Sequence, residues 1–380
     1  MPRAKIGKVL VTGGLGFIGS WTVDKLIERD YEVIALDNLT YQVHRGIMPK
    51  YANSKAKHIK GDIRDRELIK EIIKDVEGII HLAALVGVGQ SMYKIADYVD
   101  VNVKGTAVLL DILVNEENQV RKLVVASSMS IYGEGKYYCE KCQAYIFPDL
   151  RSEEQLRKKI WEQLCPQCGN TLNPVPTDEN KPPKPTSIYA QTKYYQEQMS
   201  LLIGKTYGIP TIALRYFNVY GPRQSLANPY TGVCAIFLSR ILNNKPPVIF
   251  EDGEQTRDFI YVEDVAEANV VALEAGANAY YEVFNVGTGK PTSIKRIAQE
   301  LVKAVKAGVK VDIIGKARKG DIRHCYADIT KAEKMLSWKP KTSLEQGLSV
   351  LAKWAIENRW GAVDLFEKAY KELIDKGLLI

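Results

Sequence analysis

Long apolar runs are missing from this chain of 380 residues. No run reaches the ~18 consecutive apolar residues that a membrane-spanning helix needs, so we expect neither a transmembrane helix nor a membrane partner. The first residues lead directly into an apolar strand and leave no room for a signal peptide. Together these absences predict a cytoplasmic protein.

A large charge of one sign is also missing. Lysine and arginine number 52 and aspartate and glutamate number 45, which gives a net charge of +7 spread along the chain. Nucleic-acid-binding proteins concentrate their basic residues on one face, so we expect no nucleic-acid partner. The mild positive charge is better suited to a small anionic ligand.

Cysteine is scarce, and four of the six cysteines are confined to two C-x-x-C pairs. Cys139 and Cys142 form the first pair, and Cys165 and Cys168 follow after 22 residues. This spacing is typical of a tetrahedral four-thiolate site, for which zinc is the usual metal and iron the alternative. Because four thiolates leave no open position, the metal is expected to be structural. We assign residues 134–176 to a zinc-ribbon-like metal-binding insert.

A glycine turn near the start is the most informative stretch that is present. An apolar strand, Val9–Val11, runs directly into the turn, and an amphipathic helix, Trp21–Glu28, follows it. Gly13, Gly16 and Gly19 are spaced as G-x-x-G-x-x-G. Glycine allows positive φ and close approach of the backbone to a pyrophosphate, and the helix N-terminus offers free N–H groups. The pattern predicts a dinucleotide-binding turn.

Two acidic strand ends extend this prediction. A second apolar strand ends at Asp37, 18 positions after Gly19, where the carboxylate that binds the adenosine ribose belongs. The next residue is the neutral Asn38 and not an arginine that could bind the 2′-phosphate of NADP. NAD is therefore favoured over NADP. A third short strand ends at Asp62 and Ile63, which we place beside the adenine ring.

Strands and helices alternate through the first half of the chain, which is typical of a parallel sheet covered on both faces. We therefore predict an α/β fold with a Rossmann-type, doubly wound parallel sheet. A fourth strand contains His81, interpreted as a packed histidine, and continues to Leu82, Ala83 and Ala84, which we assign to the nicotinamide side of the cofactor.

The predicted domains follow from this pattern. The NAD-binding domain comprises residues 1–133 and 177–214. Residues 215–380 mainly form a smaller substrate-binding lobe, with some segments returning to the first domain.

The candidate catalytic residues lie on a fifth strand and on a later helix. Residues 122–126 form a strand that ends in serines including Ser128, and open α/β sheets place ligands beyond the carboxyl ends of their strands. Tyr189 and Lys193 are four residues apart and project from one helical face. A free phenol has a pKa of ~10, and an ammonium group nearby favours the phenolate. We therefore predict that Lys193 makes Tyr189 acidic enough to act as a base.

These motifs resemble those of the extended short-chain dehydrogenases/reductases that act on nucleotide-sugars. Five segments carry the resemblance: residues 12–19, 127–133, 189–193, 215–223 and 252–260. It implies tightly held NAD, with Ser128 orienting the sugar hydroxyl and Tyr189 acting as the base. Lys193 would tune Tyr189 and bind the nicotinamide ribose.

The resemblance also assigns the substrate side of the site. Asn218 and Arg257 would contact the diphosphate together with Arg318, and Asp321 would bind the nucleoside ribose. Four further residues complete the expected cofactor contacts: Phe17, Ile18, Asn102 and Tyr216. From the residues alone, three other arginines are candidates for bidentate binding of the diphosphate: Arg215, Arg223 and Arg323.

The residues after Ser128 bear on the reaction. In the families that this chain resembles, 4,6-dehydratases carry an Asp-Glu pair there and sugar-acid decarboxylases usually a Glu. Here Met129 and Ser130 cannot transfer a proton at neutral pH. We therefore predict an isomerase, an NAD-dependent 4-epimerase that oxidises C4 to a 4-keto sugar and re-reduces it on the opposite face. The alternatives are a nucleotide-sugar 4-ketoreductase, a 4,6-dehydratase, or a binding module built on the cysteine pairs.

A narrower resemblance is to the dTDP-L-rhamnose 4-epimerases. It rests on the four-cysteine insert and on residues 86–93, 127–135 and 228–233. We expect a dTDP- or UDP-hexose substrate, such as dTDP-L-rhamnose, UDP-glucose or UDP-galactose. The family resemblance further implies a homodimer in which helices at 97–118 and 187–208 pair. Residues 344–374 are interpreted as helices for core packing or a subunit contact.

Overall fold

The computed structural model describes residues 6–380. Its strands are β1 (Lys8–Thr12), β2 (Glu32–Asp37), β3 (Lys57–Lys60), β4 (Gly78–His81), β5 (Lys122–Ser128), β6 (Lys136–Cys139), β7 (Ala144–Ile146), β8 (Asn173–Val175), β9 (Thr211–Tyr216), β10 (Asn218–Tyr220), β11 (Val248–Ile249), β12 (Thr256–Tyr261), β13 (Val283–Val286), β14 (Pro291–Ser293), β15 (Asp312–Ile313) and β16 (His324–Cys325).

Its helices are α1 (Phe17–Glu28), α2 (Tyr41–His44), α3 (Arg66–Ile73), α4 (Val88–Ser91), α5 (Ile95–Tyr98), α6 (Gly105–Asn115), α7 (Glu153–Arg157), α8 (Ile188–Tyr207), α9 (Val233–Leu242), α10 (Val262–Glu274), α11 (Ile294–Val305), α12 (Thr330–Leu336), α13 (Leu344–Glu357) and α14 (Phe366–Asp375). A π-helical turn, Val99–Lys104, joins α5 to α6, so the helix predicted at 97–118 is divided. Over residues 6–380, no helix combines the length and the apolar character that crossing a membrane requires.

Seven parallel strands form the central sheet in the order β13-β9-β5-β4-β1-β2-β3. The chain runs from β1 to β2 and β3 and then crosses back to β4 on the other side of β1. Reversal of the strand order between β1 and β4 opens a crevice at the carboxyl ends of the strands. The predicted Rossmann-type, doubly wound sheet is confirmed.

Apolar side chains cover both faces of this sheet. Val9 and Val11 of β1 point to the face covered by α1 and α10, whereas Leu10 points to the face covered by α3 and α6. Because successive side chains of a strand alternate between faces, a strand buried on both sides is apolar throughout. This burial explains the continuous apolar runs of the sequence.

The smaller lobe has its own core. Apolar residues of α9, α11 and α13, including Leu238, Leu301 and Leu351, pack together. A small sheet of β10, β12, β14 and β16 lies beside them. Two later segments return to the central sheet: β13 pairs with β9, and α10 packs on α1.

The insert is a small antiparallel sheet of β6, β7 and β8. It leaves and rejoins the main fold at one point, because Lys136 lies opposite Val175. Its apolar cluster is confined to a few buried side chains: Tyr137, Cys139, Ile146, Cys165 and Leu172. So small a core needs a further source of stability.

Buried ion pairs fix the insert to the smaller lobe. The guanidinium group of Arg151 donates to both carboxylate oxygens of Glu251 at 2.8 and 2.9 Å. Arg323, whose side chain is only 1% exposed, donates to Glu251 and to Glu162 of the insert. The ring of His324 also bonds to Glu162, at 2.9 Å. Removing one partner from such a buried pair costs about 3–5 kcal/mol.

Glu162→Gln should remove part of the acid sensitivity of folding. Burial alone would raise the pKa of Glu162, but hydrogen bonds from His324 and Arg323 outweigh it and lower the pKa to about 2. The resulting stabilisation is therefore complete above the ordinary glutamate pKa and is lost as the pH falls towards 2. More than a third of the side chain is exposed, so solvent screening reduces the contribution to about 1–2 kcal/mol.

Urea unfolding of the wild type and the variant, from neutral pH down to about 3, measures this difference. Glu154→Gln is the control, because Glu154 belongs to the same insert but is exposed and pairs only with exposed Lys158. A constant difference between wild type and Glu162→Gln at every pH would contradict the assignment.

Candidate active site

A cavity of about 640 Å³ lies at the switch point, between the carboxyl edge of the central sheet and the smaller lobe. Its wall includes Gly13, Ser128 and Tyr189 on the sheet side and Asn218 and Arg318 on the lobe side. Ligand and cofactor sites commonly have volumes in this range. The residues predicted to bind cofactor, to catalyse and to bind substrate therefore surround one space.

The glycine turn forms one end of the cavity. Gly13 has a φ of 68°, in the left-handed region that favours glycine. The N–H of Gly16 donates to the Gly13 carbonyl at 3.1 Å. No side chain caps α1, so its first N–H groups are available to an anion. Phe17, Ile18 and Gly19 also line the cavity.

Gly19→Ala should destabilise the turn. A Cβ atom at residue 19 would clash with the carbonyl oxygen of Gly13, so the backbone has to shift. We expect a loss of about 3 kcal/mol of unfolding free energy and little NAD in the purified protein. In the control, Gly16→Ala, the nearest protein atom to the new Cβ is at 3.2 Å. Urea unfolding and nucleotide analysis of both variants test this, and equal stabilities would contradict it.

Asp37 stands at the end of β2 and lines the cavity, with 8% of its surface exposed. One carboxylate oxygen accepts the N–H of Leu15 at 3.2 Å, and the other accepts that of Leu39 at 2.9 Å. These bonds hold the carboxylate at the mouth of the glycine turn. Asn38 and Ile63 line the same region.

Two residues expected to bind the cofactor do not line the cavity. The carboxylate of Asp62 is bound by the guanidinium of Arg64 at 2.7 Å, and this hydrogen bond lowers its pKa. Asn102 is fully buried: its oxygen accepts the N–H of Leu85 at 2.7 Å, and its amide group donates to Thr192 at 3.0 Å. Asp62 is thus held by an ion pair and Asn102 by contacts with two neighbouring segments, and their expected contacts with the cofactor stay a prediction.

The three predicted catalytic residues meet where β5 ends and α8 begins. The hydroxyl of Ser187 accepts the N–H of Ala190 at 3.1 Å and so caps α8. This cap fixes the first turns of the helix, which carry Tyr189 and Lys193. Ser128 closes β5, and its hydroxyl is close enough to the phenol of Tyr189 to lower the pKa of that group.

Burial governs the ionisation of Tyr189 and Lys193. It raises the pKa of Tyr189, and the nearby hydroxyl of Ser128 opposes it only in part. It lowers the pKa of Lys193 to about 7, against the charge of Glu197. Lys193 donates instead to Gln196 at 2.9 Å. Desolvation therefore opposes the expected acidification of Tyr189 by Lys193, because it disfavours the charged forms of both groups.

A buried polar chain continues from Lys193 to the glycine turn. Gln196 donates to the hydroxyl of Thr106 at 2.7 Å. The ring of His81 hydrogen-bonds to Thr106 at 2.9 Å and to Thr12 at 2.8 Å. Burial lowers the pKa of His81 to about 3, so the ring is neutral. The interpretation of His81 as a packed histidine is confirmed.

The residues expected on the substrate side all line the cavity. Arg318 is bound to Asp321 at 2.7 Å, and 41% of its side chain is exposed, so it remains accessible. Arg257 donates to the backbone carbonyls of residues 256, 322 and 323. Tyr216, expected on the cofactor side, also reaches the wall.

Three cavity-lining amides each have a buried side-chain oxygen without a hydrogen-bond partner: Asn218, Gln224 and Gln255. Such an oxygen costs about 1–3 kcal/mol unless a ligand or water bonds to it. Sugar hydroxyl groups are donors of the kind that these oxygens need. A ligand that reached one of these oxygens would have to present a hydroxyl or N–H donor.

Three other candidate arginines form structural ion pairs. Arg215 is buried and donates to both carboxylate oxygens of Glu197 at 2.9 and 2.7 Å. Arg223 is bound to Asp24 at 2.6 Å. Arg323 belongs to the ion pairs that hold the insert. Their suggested role at the diphosphate is therefore corrected, because their charges are already neutralised by carboxylates.

No free acid stands beside Ser128 within residues 6–380. Of the cavity-lining residues there, only Asp37, Glu251 and Asp321 carry carboxylates. Each is bound, Asp37 by backbone N–H groups and the other two by arginines. Ser130 donates to the hydroxyl of Ser128 at 2.9 Å. Within residues 6–380 the cavity thus offers no free carboxylic acid that could serve as the extra proton donor for elimination of water.

The four predicted metal ligands meet in the insert. Their sulfur atoms all lie within 4.8 Å of one another. Cys139 and Cys168 are 3.6 Å apart, and Cys142 and Cys165 are 3.8 Å apart. Four thiolates bound tetrahedrally at about 2.3 Å from a metal lie about 3.8 Å from one another. The sulfur set therefore fits a zinc or iron ion.

Two contributions to the site escaped the sequence analysis. The hydroxyl of Ser91 accepts the backbone N–H of Tyr189 at 3.0 Å, a contact between segments far apart in the sequence. Helix α14 also lines the cavity. Its amphipathic spacing is visible in the sequence, but spacing alone cannot tell a cavity from a core.

A doubly wound sheet, a glycine turn at the switch point and Ser128, Tyr189 and Lys193 at one cavity define a dinucleotide-binding protein of the short-chain dehydrogenase/reductase class. The sequence matches the NAD dependent epimerase/dehydratase family over residues 9–153 and 166–287. The chain belongs to this family.

Three similar proteins illustrate the family. The putative UDP-glucose 4-epimerase of Methanocaldococcus jannaschii is 39% identical over 92% of this chain and 99% of that protein. The dTDP-L-rhamnose 4-epimerase of Burkholderia thailandensis is 37% identical over 91% of this chain and 94% of that protein. The structure of a UDP-glucuronic acid 4-epimerase mutant from Bacillus cereus, in complex with NAD and UDP-4-deoxy-4-fluoro-glucuronic acid, is 28% identical. It covers 92% of this chain and 99% of its own, with a TM-score of 0.74.

Proposed function

We propose that this protein is a nucleotide-sugar 4-epimerase acting on a dTDP- or UDP-hexose. The observation that carries the proposal is one cavity that joins the glycine turn to Ser128, Tyr189 and Lys193 with no free carboxylate beside them. The unpaired amide oxygens on the lobe side favour a sugar ligand. Among similar proteins, those named above are 4-epimerases of nucleotide sugars.

NAD is the proposed cofactor, and the residues present fit it. The uncapped N-terminus of α1 suits a pyrophosphate, and Asp37 suits the hydroxyl groups of a ribose while repelling a 2′-phosphate. The cavity-lining residues that would hold NAD are Gly13, Gly16, Phe17, Ile18, Gly19, Asp37, Asn38, Ile63, Leu82, Ala83, Ala84, Tyr189, Lys193 and Tyr216. When bound, NAD supplies a hydride acceptor and later a donor, and its oxidised ring carries positive charge.

The proposed mechanism moves one proton between the 4-hydroxyl group of the sugar and Tyr189. Ser128 orients the 4-hydroxyl group of the sugar, and the phenolate of Tyr189 accepts its proton as C4 is oxidised. Positive charge close to the buried phenol favours the phenolate. Asn218, Arg257 and Arg318 hold the diphosphate, so the 4-keto sugar can turn without leaving. Tyr189 returns the proton once C4 is reduced on its other face, and no cofactor is consumed.

A panel of nucleotide sugars tests the proposal. The purified protein should contain NAD and should convert one of dTDP-L-rhamnose, UDP-glucose, UDP-galactose or UDP-N-acetylglucosamine into its C4 epimer, as identified by NMR. Stoichiometric consumption of reduced cofactor would show a 4-ketoreductase instead. Loss of water from the sugar would show a 4,6-dehydratase.

We further propose that the insert holds one structural zinc ion, with iron as the alternative metal. The sulfur spacing supports this, and metal binding would supply the stability that the small apolar cluster lacks. Metal analysis of the purified protein should find one ion per chain. The proposed location of the protein is the cytoplasm.

A homodimer is the proposed assembly, formed by α8 and the helical segment that ends in α6. Apolar side chains stand exposed there, among them Val99, Tyr195 and Leu202, which is 66% exposed. Leu202→Glu should convert the dimer into a folded monomer, as measured by light scattering. Glu replaces an exposed residue, so circular dichroism should be unchanged. A wild-type protein that is already monomeric would contradict the assignment.

A further inference from the structure

Residues 366–380 contribute α14 and Leu378 to the wall of the cavity. Phe366, Ala369, Tyr370 and Leu373 of α14 line the cavity and are spaced i, i+3, i+4, i+7, which places them on one face of the helix. None of the residues of α14 is fully buried. The apolar face of this helix therefore covers the cavity and not a core.

The covered part of the cavity has the chemistry of a nucleotide site. The rings of Phe366 and Tyr370 are stacked, with centroids 5.6 Å apart, and Phe250 lies 6.2 Å from Tyr370. The guanidinium of Arg318 lies over the ring of Phe250 at 4.6 Å from its centroid. An aromatic surface beside an accessible guanidinium suits a base and its phosphates.

The end of the chain is held beside this surface. Ala317 and Ile380 exchange backbone hydrogen bonds of 3.0 and 2.8 Å, and Lys319 donates to the carbonyl of Leu378 at 2.9 Å. Residues 317–319 and 378–380 are thus paired on either side of Arg318. This pairing tethers one end of the segment to the smaller lobe.

The start of α14 is held by an ion pair between Glu367 and Arg240 at 2.9 Å. Its later turns are attached by a carboxylate at the mouth of the cavity. Glu372 accepts hydrogen bonds from the hydroxyl of Tyr93, at 2.6 Å, and from that of Tyr230. Tyr93 follows α4, and Tyr230 lies in the loop before α9; both line the cavity. One side chain therefore joins three segments that are distant in the sequence. Hydrogen bonds to a carboxylate are stronger than those between neutral groups.

We propose that residues 366–380 form a lid over the nucleoside diphosphate half of the substrate and that Glu372 is its latch. The inference rests on the proposed function, because only a nucleotide-sugar substrate would fill both halves of the cavity. The base lies against Tyr370 and Phe250 with the phosphates towards Arg318. The latch opens for exchange and, when closed, retains the 4-keto sugar between the two hydride transfers.

Glu372→Gln tests the latch in the NAD-containing enzyme. We expect UDP or dTDP to dissociate about tenfold faster in stopped-flow experiments, because a charge-assisted bond is lost. The KM for the nucleotide sugar should rise while kcat changes little. More enzyme should be left with reduced nicotinamide after turnover, because the keto sugar escapes before its reduction. Asp375→Asn is the control: it makes the same charge change at an exposed position of the same helix.

A second variant is needed because the glutamine at position 372 could still accept a hydrogen bond from Tyr93 or Tyr230. Tyr93→Phe combined with Tyr230→Phe removes both donors and should reproduce the faster dissociation. Wild-type dissociation rates in both variants would overturn the lid. If the wild type neither binds nor converts any nucleotide sugar, the proposed function fails and the lid with it. If the wild type converts its substrate and the variants match it, only the lid fails.

Discussion

Replacing Tyr189 by phenylalanine should lower kcat by about 10³-fold, because the variant keeps the ring but loses the proton acceptor. The KM and the amount of bound NAD should stay close to wild type, since the ring still fills the wall beside Ser128. Product formation followed by NMR and nucleotide analysis of the purified variant measure these quantities. The effect is large because, within residues 6–380, the cavity has no free carboxylate that could accept the proton in place of Tyr189.

Tyr207→Phe is the matched control. It removes the same hydroxyl group from the same helix, but Tyr207 is the last residue of α8, is 56% exposed and does not line the cavity. Its turnover should equal that of the wild type. If Tyr189→Phe retained full turnover as well, another group would have to be the base and the proposed mechanism would be wrong.

Removing the metal from the insert should have the second large effect. Cys142→Ser combined with Cys168→Ser leaves two thiolates, too few for a stable site. We expect the sheet of the insert to unfold. The ion pairs of Arg151 with Glu251 and of Glu162 with Arg323 should then break. The loss should be about 3–5 kcal/mol of unfolding free energy. Since Arg318 and Asp321 lie beside Arg323, the KM should rise more than kcat falls.

Hydrogen exchange of residues 136–175, metal analysis and steady-state kinetics measure these effects. Cys234→Ser and Cys325→Ser are the controls, because both cysteines lie outside the cluster. These variants should retain one metal ion per chain. Slow exchange in the metal-free insert would contradict a structural role of the metal.

The sequence was most informative where the structure or the chemistry requires one particular residue type that few others could replace. The glycine turn, the pair Tyr189 and Lys193 and the cysteine pairs each combine a required chemistry with short spacing. The glycine turn and Ser128 lie close together because the carboxyl ends of neighbouring parallel strands share one edge of the sheet. For this reason the fold and the centre of the site could be predicted.

Contacts between distant segments could not be predicted in this way. Whether Arg215 binds a diphosphate or Glu197 depends on which residue the fold places opposite it, and nothing near either residue in the sequence reveals this. Asn102 is a similar case, because its amide is used by Leu85 and by Thr192. The pKa values could not be predicted either, because burial raises the pKa of Tyr189 and lowers that of Lys193, and burial does not show in their spacing.

The position of the insert has a consequence for the two halves of the active site. Ser128 precedes it and Tyr189 follows it, yet Lys136 and Val175 face each other across adjacent strands. The whole segment therefore adds length to the chain without adding distance between the two halves of the active site. Exchanging it for a tight hairpin would still bring the same serine and tyrosine together, so the insert belongs to the scaffold and not to the chemistry at these two residues.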